Sequence, residues 1–168
     1  EADVLLFNVE VCEERRTYFN TDFHRVRWYN CGRYPAYAIA IRTEKMHRSN
    51  LTFSLLFGGG AKYSNGEDSL FLRDCLKAGL KLYATDVVIG KEEPRESTWF
   101  SGYNAKYVFD RGAFVAAAFP KTRHLMKMYY LWKDCGKVDF SLKETLYYMN
   151  CGMKAYRKQI TFSEMFEK

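Results

Sequence analysis

The segment Gly66-Glu67-Asp68 places two adjacent carboxylates at the start of a predicted helix. Apolar residues recur at helical spacing after it, and Gly79 stands where a helix is expected to stop. A carboxylate presented in this way can take a proton from a hydroxyl group or help to hold a metal ion. The residues also fit a second interpretation, because Ser64 and Glu67 have the spacing of a capping box and acidic side chains stabilise helix N-termini.

The elements around this segment predict an α/β fold. Residues 4–11, 37–41 and 80–89 have strand-like patterns, and residues 16–19 and 24–29 predict a hairpin. Thr43 is predicted to cap a short helix, and longer helices are predicted at 105–119, 121–133 and 141–158, the last with Ser141 and Glu144 as a capping box. The glycine-rich loop 57–61 would let the backbone come close to a ligand. We therefore expect an α/β unit over residues 1–104, followed by a helical region over residues 105–168.

Composition places the chain among compact globular proteins. It has 168 residues, of which 48% are hydrophobic and 17% aromatic, so it is too apolar for a disordered segment. Five cysteines without a C-x-x-C pair favour reduced thiols in the cytoplasm over a disulfide framework or a zinc site.

Positive charge is concentrated near the C-terminus. Residues 121–168 hold ten Lys and Arg against five acidic residues, which leaves +5 of the net charge of +6. Tyr and Trp accompany these charges, a composition that predicts peripheral contact with an anionic membrane surface. An ordinary solvated face over packed aromatic residues is the alternative. No nucleic-acid motif is present, and we expect no nucleic-acid partner.

The order of several elements resembles the second half of family 2 glycosyltransferases, enzymes with a GT-A fold that move a sugar from a nucleotide donor. The matching elements are Gly66-Glu67-Asp68, a helix ending at Ala78-Gly79, a strand over 80–89 and Arg95-Glu96-Ser97-Thr98, with Phe53 and the strand 1–7 upstream. The resemblance covers about the first 105 residues and is closest to bacterial enzymes that build capsular or other surface polysaccharides.

The resemblance implies a partial GT-A-like mixed sheet with flanking helices, an inverting hexosyltransferase type of activity, and site roles. Asp68 is then the catalytic base, and Glu67 either positions the acceptor or caps the helix. Arg95, Ser97 and Thr98 would hold the leaving diphosphate, although a plain turn fits them equally. Trp99 would stack on a sugar face or pack within its loop.

The sequence departs from the family in two ways. The family's nucleotide-binding half, with its Asp-x-Asp, has no counterpart, and the loop before Ser97 lacks the His found in many relatives. We therefore assign no metal-ligating residue; a divalent cation, Mg or Mn, is expected in the full-length enzyme and none bound tightly here. A strand that starts almost at Glu1 predicts a fragment with little activity. Its unpaired sheet edge near residues 4–11 would promote self-association.

The function implied by the resemblance is transfer of a sugar from a nucleotide-sugar donor to a glycan or lipid-linked acceptor, with inversion, in surface polysaccharide biosynthesis. The expected location is the cytoplasm, at the inner face of the cell membrane. The alternative is a non-catalytic module that binds a glycan or a partner protein and lacks the donor site.

Overall fold

The computed structural model of the chain describes residues 1–12, 18–92 and 102–166. Within this part, the fold is α/β, as predicted, with one four-stranded mixed sheet and six α-helices. The described residues form two compact units. Residues 1–12, 18–54 and 67–92 form the sheet unit, and residues 55–66 and 102–166 form the helical unit.

The sheet has the strand order β2-β4-β1-β3. Its strands are β1 (Val4–Glu10), β2 (His24–Val26), β3 (Ile39–Ile41) and β4 (Leu82–Lys91). β1 and β4 are parallel, whereas β2 and β3 pair antiparallel with β4 and β1. The predicted unpaired edge is wrong for Val4–Leu6, because these residues pair with β3 on one side and with β4 on the other.

One face of the sheet packs against helix α2 (Glu67–Lys77). Alternate residues of a strand point to the same face, so the inward positions of β1 and β4 can be apolar while their neighbours stay accessible. The buried side chains from both elements are Val4, Leu6, Leu82, Ala84, Phe71, Leu72 and Cys75. Helix α1 (Thr43–Arg48) adds Met46 to the edge of this core.

β4 carries a bulge opposite β1. Leu6 lies opposite Ala84 but Asn8 lies opposite Val88, so β4 uses two more residues than β1 over the same length. The buried Asn8 side chain donates to the carbonyl of Asp86 at 3.1 Å. The amide of Asn8 thereby donates to a carbonyl at the irregular part of the ladder between β1 and β4.

Three local predictions for the sheet unit are wrong. Of the predicted hairpin, residues 16 and 17 lie outside the described residues, residues 18 and 19 form no strand, and β2 pairs with β4 instead. β3 begins only at Ile39, because residues 36–38 form a 3₁₀ turn. Thr43 is the first residue of α1 and not its cap, and the preceding Arg42 makes no side-chain capping bond.

The helical unit contains α3 (Ala105–Ala118), α4 (Arg123–Lys133), α5 (Leu142–Lys158) and α6 (Phe162–Phe166). The first three match the predicted helices, and the capping box of Ser141 and Glu144 is present. α6 was not predicted, although Thr161 and Glu164 make the same reciprocal bonds at its start. In the described part of the chain, no helix is both long enough and apolar enough to cross a membrane.

Residues 55–66 precede α2 in sequence but belong to the helical unit. Phe57 and Tyr63 form a β-bridge closed by the Gly58 N–H, which donates to the Tyr63 carbonyl at 2.9 Å. The Tyr63 ring is fully buried. Asp110 of α3 is also fully buried, and it accepts bonds from the backbone N–H and hydroxyl of Ser64. The glycine-rich loop therefore makes a tight turn that attaches this segment to α3.

Candidate active site around Asp68

The structure requires a glycine at position 66, the first residue of Gly66-Glu67-Asp68. Its backbone has φ +107°, a conformation that residues with a side chain rarely adopt. A Cβ atom at this position would also overlap the ring of Phe114. Only glycine fits at this position, immediately before the two carboxylates that begin α2.

The other end of α2 is fixed by Gly79, at φ +82°. The N–H of Leu80 donates to the carbonyl of Cys75 at 3.0 Å, and the N–H of Gly79 donates to that of Leu76 at 3.1 Å. This pair of bonds is a Schellman motif. The predicted helix stop is confirmed.

Asp68 is the most perturbed carboxylate of this region. Burial, together with the negative charge of Glu67, raises its pKa from an ordinary 3.8 to about 6. A hydrogen bond from the backbone of Ala36 lowers the same pKa but does not offset the burial. The position at a helix N-terminus favours the ionised form of Asp68, but burial has the larger effect on the pKa.

One oxygen of Asp68 has no hydrogen-bond partner among the described residues. Its Oδ1 atom is buried, and no hydrogen bond from the described residues reaches it. A buried acceptor without a partner is unfavourable in a structural role and is more common at functional sites. At neutral pH, a carboxyl group with a pKa near 6 is ionised and is a stronger base than an ordinary aspartate.

Residues 31–38 position Asp68 by packing against α2. Two short 3₁₀ turns, Cys31–Arg33 and Ala36–Ala38, lie in this segment. A Cβ atom added to Gly32 would lie 3.4 Å from the hydroxyl of Ser69, so Gly32 lies against the side chain of Ser69 in the first turn of α2. Pro35 is extended and directs the next N–H, that of Ala36, to the Asp68 carboxylate.

A buried polar network of the sheet unit was not found from the sequence. Asn8 accepts from the backbone N–H of Asn20 at 2.8 Å, and the Tyr34 hydroxyl donates to Asn20 Oδ1 at 3.3 Å. The Tyr34 hydroxyl also lies 3.4 Å from His24 Nε2. Burial raises the pKa of Tyr34 to about 12, so the hydroxyl stays protonated. The residue of the sequence that could have indicated this network is Asn8, because it is a polar amide on the buried face of a predicted strand.

The other predicted site residues divide into two groups. Arg95, Ser97, Thr98 and Trp99 lie outside the described residues. Phe53, which the sequence resemblance singled out, stacks on Phe71 of α2 with ring centroids 4.1 Å apart. Phe53 therefore supports the helix that carries Glu67 and Asp68.

The candidate ligands for a metal ion are the His, Cys, Asp and Glu side chains of the described residues. No group of three His, Cys, Asp or Glu side chains able to hold an ion occurs among them. Glu67 and Asp68 offer carboxylate oxygens, and Mg²⁺ is commonly held by one or two carboxylates together with water and substrate phosphates.

Comparisons of this chain with protein-family models, curated proteins and solved structures found no match. The chemistry of Asp68 and its neighbours therefore carries the functional assignment.

Proposed function

We propose that this chain is the acceptor-side half of an inverting, family 2-like glycosyltransferase with a GT-A-like fold. The complete enzyme would transfer a sugar from a nucleotide donor to a glycan or lipid-linked acceptor during assembly of a surface polysaccharide, and this chain would supply the catalytic base and the acceptor side. The observation that carries the proposal is the carboxyl group of Asp68, which has a raised pKa and a buried oxygen without a partner among the described residues. A group of this kind is suited to general-base catalysis.

The proposed reaction is a single displacement. Asp68 Oδ1 takes the proton of an acceptor hydroxyl as that oxygen attacks the anomeric carbon. The bond from this carbon to the nucleoside diphosphate breaks on the opposite side, and the diphosphate leaves with the electron pair. One new glycosidic bond forms, and the configuration at the anomeric carbon is inverted.

Glu67, Arg95, Ser97, Thr98 and Trp99 complete the proposed site. Glu67 contributes the neighbouring negative charge that makes Asp68 a better base. Arg95 would neutralise the leaving diphosphate, because a guanidinium group donates to phosphate oxygens in a forked geometry. The hydroxyls of Ser97 and Thr98 would add donors, and Trp99 would pack on the sugar.

A second function, binding of a glycan without catalysis, is favoured by a different surface. A concavity of about 440 Å³ in the sheet unit is lined by Arg25, Arg27, Arg73, Trp28 and Tyr29 among others. Trp28 and Tyr29 are both exposed. Exposed aromatic rings next to guanidinium groups are suited to sugars that carry acidic groups.

The test of the transferase uses the protein encoded by the complete reading frame, incubated with a panel of nucleotide sugars. Release of nucleoside diphosphate is measured with and without glycan acceptors. We expect Asp68→Asn to lower kcat by about 10²- to 10⁴-fold, because the variant removes the proton acceptor. The matched control is Asp74→Asn on the same helix, a half-exposed carboxylate paired with Lys77, which should retain the wild-type rate.

The pH profile separates a base from a structural carboxylate. For wild type, kcat/KM should fall about tenfold per pH unit below pH 6, because protonation of Asp68 removes the base. A rate for Asp68→Asn within a fewfold of wild type would show that Asp68 is not the base. Glycan binding that Trp28→Ala abolishes, in a protein with no donor turnover, would favour the binding module.

A further inference from the structure

Helix α4 presents an apolar stripe to solvent. Leu125, Met128, Tyr129 and Trp132 are 71%, 56%, 44% and 76% exposed. Their spacing of three, four and seven residues puts them on one face of the helix. Leu131 on the other side is buried and packs with Val108 and Met149, so the orientation of α4 is fixed by its own unit.

Positive charge surrounds this stripe. α4 contains Arg123, His124, Lys127 and Lys133 and no acidic residue, and Lys121 precedes it. Beside it, a groove of about 320 Å³ is lined by Arg123, His124, Asn150, Met153, Lys154 and Arg157. His124 precedes Met128 by one helical turn, so the rim of the groove borders the stripe.

Most described carboxylates of the helical unit are engaged away from this groove. Asp110 pairs with Lys106, and Asp134 pairs with Arg111. Glu144 and Glu164 accept bonds at the starts of α5 and α6. The cations of the groove therefore attract an anion of high charge density, such as a phosphate group.

We propose that α4 docks on an anionic phospholipid membrane. Leu125, Met128, Tyr129 and Trp132 enter the boundary between headgroups and acyl chains, and the groove receives the phosphate of a headgroup. Amphipathic helices of this composition bind membrane interfaces through buried apolar area together with attraction to anionic lipids. A second copy of this chain is a poorer partner, because it would bring one basic rim against another.

The proposal is independent of sugar transfer and is tested on the full chain with lipid vesicles. We expect the protein to sediment with vesicles that contain phosphatidylglycerol and not with vesicles of phosphatidylcholine alone. Salt should weaken this binding, because it screens exposed charges. Replacing both Leu125 and Trp132 by Ser should lower the partition coefficient by about tenfold or more, since two buried apolar side chains are lost.

Matched variants distinguish the stripe and the groove from the rest of the surface. Leu55→Ser removes a leucine that is 94% exposed in the same unit, and it should bind vesicles like wild type. Arg157→Gln should weaken binding more than Lys143→Gln, because both lie on α5 but only Arg157 lines the groove. Thermal unfolding of each variant checks that it remains folded.

Tryptophan fluorescence reports which residue enters the lipid. Addition of anionic vesicles should shift the emission to the blue, and Trp132→Phe should lose this shift while it still binds. Trp28→Phe, which replaces another exposed tryptophan in the sheet unit, should keep the shift.

Three results would overturn the proposal. The first is the absence of binding to anionic vesicles. The second is wild-type binding by the variant with both Leu125→Ser and Trp132→Ser. The third is a dimer in light scattering that this double variant dissociates, which would assign the face to a second copy. Donor turnover without vesicles reports separately on the transferase.

Discussion

At the scale of single residues, Asp68 is subject to two opposing effects. The start of a helix favours a carboxylate, because the backbone N–H groups there carry partial positive charge. Burial disfavours the same charge, and it raises the pKa of Asp68 to about 6. An aspartate that only stabilised the helix would have a pKa below its ordinary value, because the helix N-terminus favours the charged form. The ionised form of Asp68 therefore destabilises the fold. The same burial makes Asp68 a stronger base than an ordinary aspartate.

Because the buried charge of Asp68 is unfavourable, we predict that Asp68→Asn stabilises the protein at high pH. The folded-state pKa is above the ordinary 3.8, so stability is lost as the pH rises from about 4 to about 6 and Asp68 ionises. Asn carries no charge and avoids the loss. We expect the free energy of unfolding at pH 8 to increase by about 1 to 3 kcal/mol, measured by urea denaturation.

The pH dependence provides the control for this prediction. Near pH 4, Asp68 is protonated in the folded protein, so wild type and Asp68→Asn should differ little. Asp74→Asn should show no gain at pH 8, since Asp74 pairs with Lys77 at 2.7 Å. A loss of stability in Asp68→Asn at pH 8 would instead support the interpretation as a helix-capping residue.

At the scale of elements, two glycines determine how closely α3 and α5 pack. A Cβ atom at Gly112 would overlap the carbonyl oxygen of Met149, and one at Gly152 would overlap that of Phe109. Glycine is unfavourable inside a helix, by about 0.5 to 1 kcal/mol relative to alanine. Glycine is required at these two positions because the backbones of α3 and α5 approach each other closely.

We therefore expect Gly152→Ala to destabilise the protein by about 1 to 3 kcal/mol, although alanine is the better helix former. The measurement is the midpoint of urea unfolding. Gly90→Ala is the control, because a Cβ atom there meets nothing within 4 Å and Gly90 is not among the positive-φ residues. A Gly152→Ala variant as stable as wild type would mean that α3 and α5 do not pack at this distance.

At the scale of the whole molecule, the five cysteines differ in how far they are buried. Cys12 and Cys135 are exposed, Cys151 is intermediate, and Cys31 and Cys75 are buried. Burial also raises the pKa of Cys31, and it raises that of Cys75 to about 11. The reactive thiolate is therefore scarce at the two buried positions.

Thiol labelling followed by mass spectrometry tests this arrangement. In native buffer, Cys12 and Cys135 should react first and Cys151 more slowly, whereas Cys31 and Cys75 should react only in denaturant. Cys75→Ser is the informative variant, because it should unfold at lower urea and then expose Cys31. Rapid labelling of Cys75 in the native protein would contradict the packing of α2 against the sheet.

The sequence by itself determined the elements that depend on neighbouring residues along the chain. α2, α3, α4 and α5 follow from helical spacing, from the glycine stop at Gly79 and from the capping box at Ser141. β1 and β4 follow from their apolar runs. Each of these signals is local, because a helix or a strand forms its pattern within a few residues.

Only the tertiary structure decided which strands pair and what environment Asp68 has. The partner of β2 is β4, about 60 residues away, and no local pattern specifies such a pairing. The pKa of Asp68 depends on residues 31–38 covering the first turn of α2, and desolvation cannot be read from the adjacent sequence. Gly66-Glu67-Asp68 marks, in the sequence, where chemistry could occur, whereas the fold raises the pKa of Asp68 because it buries the charge.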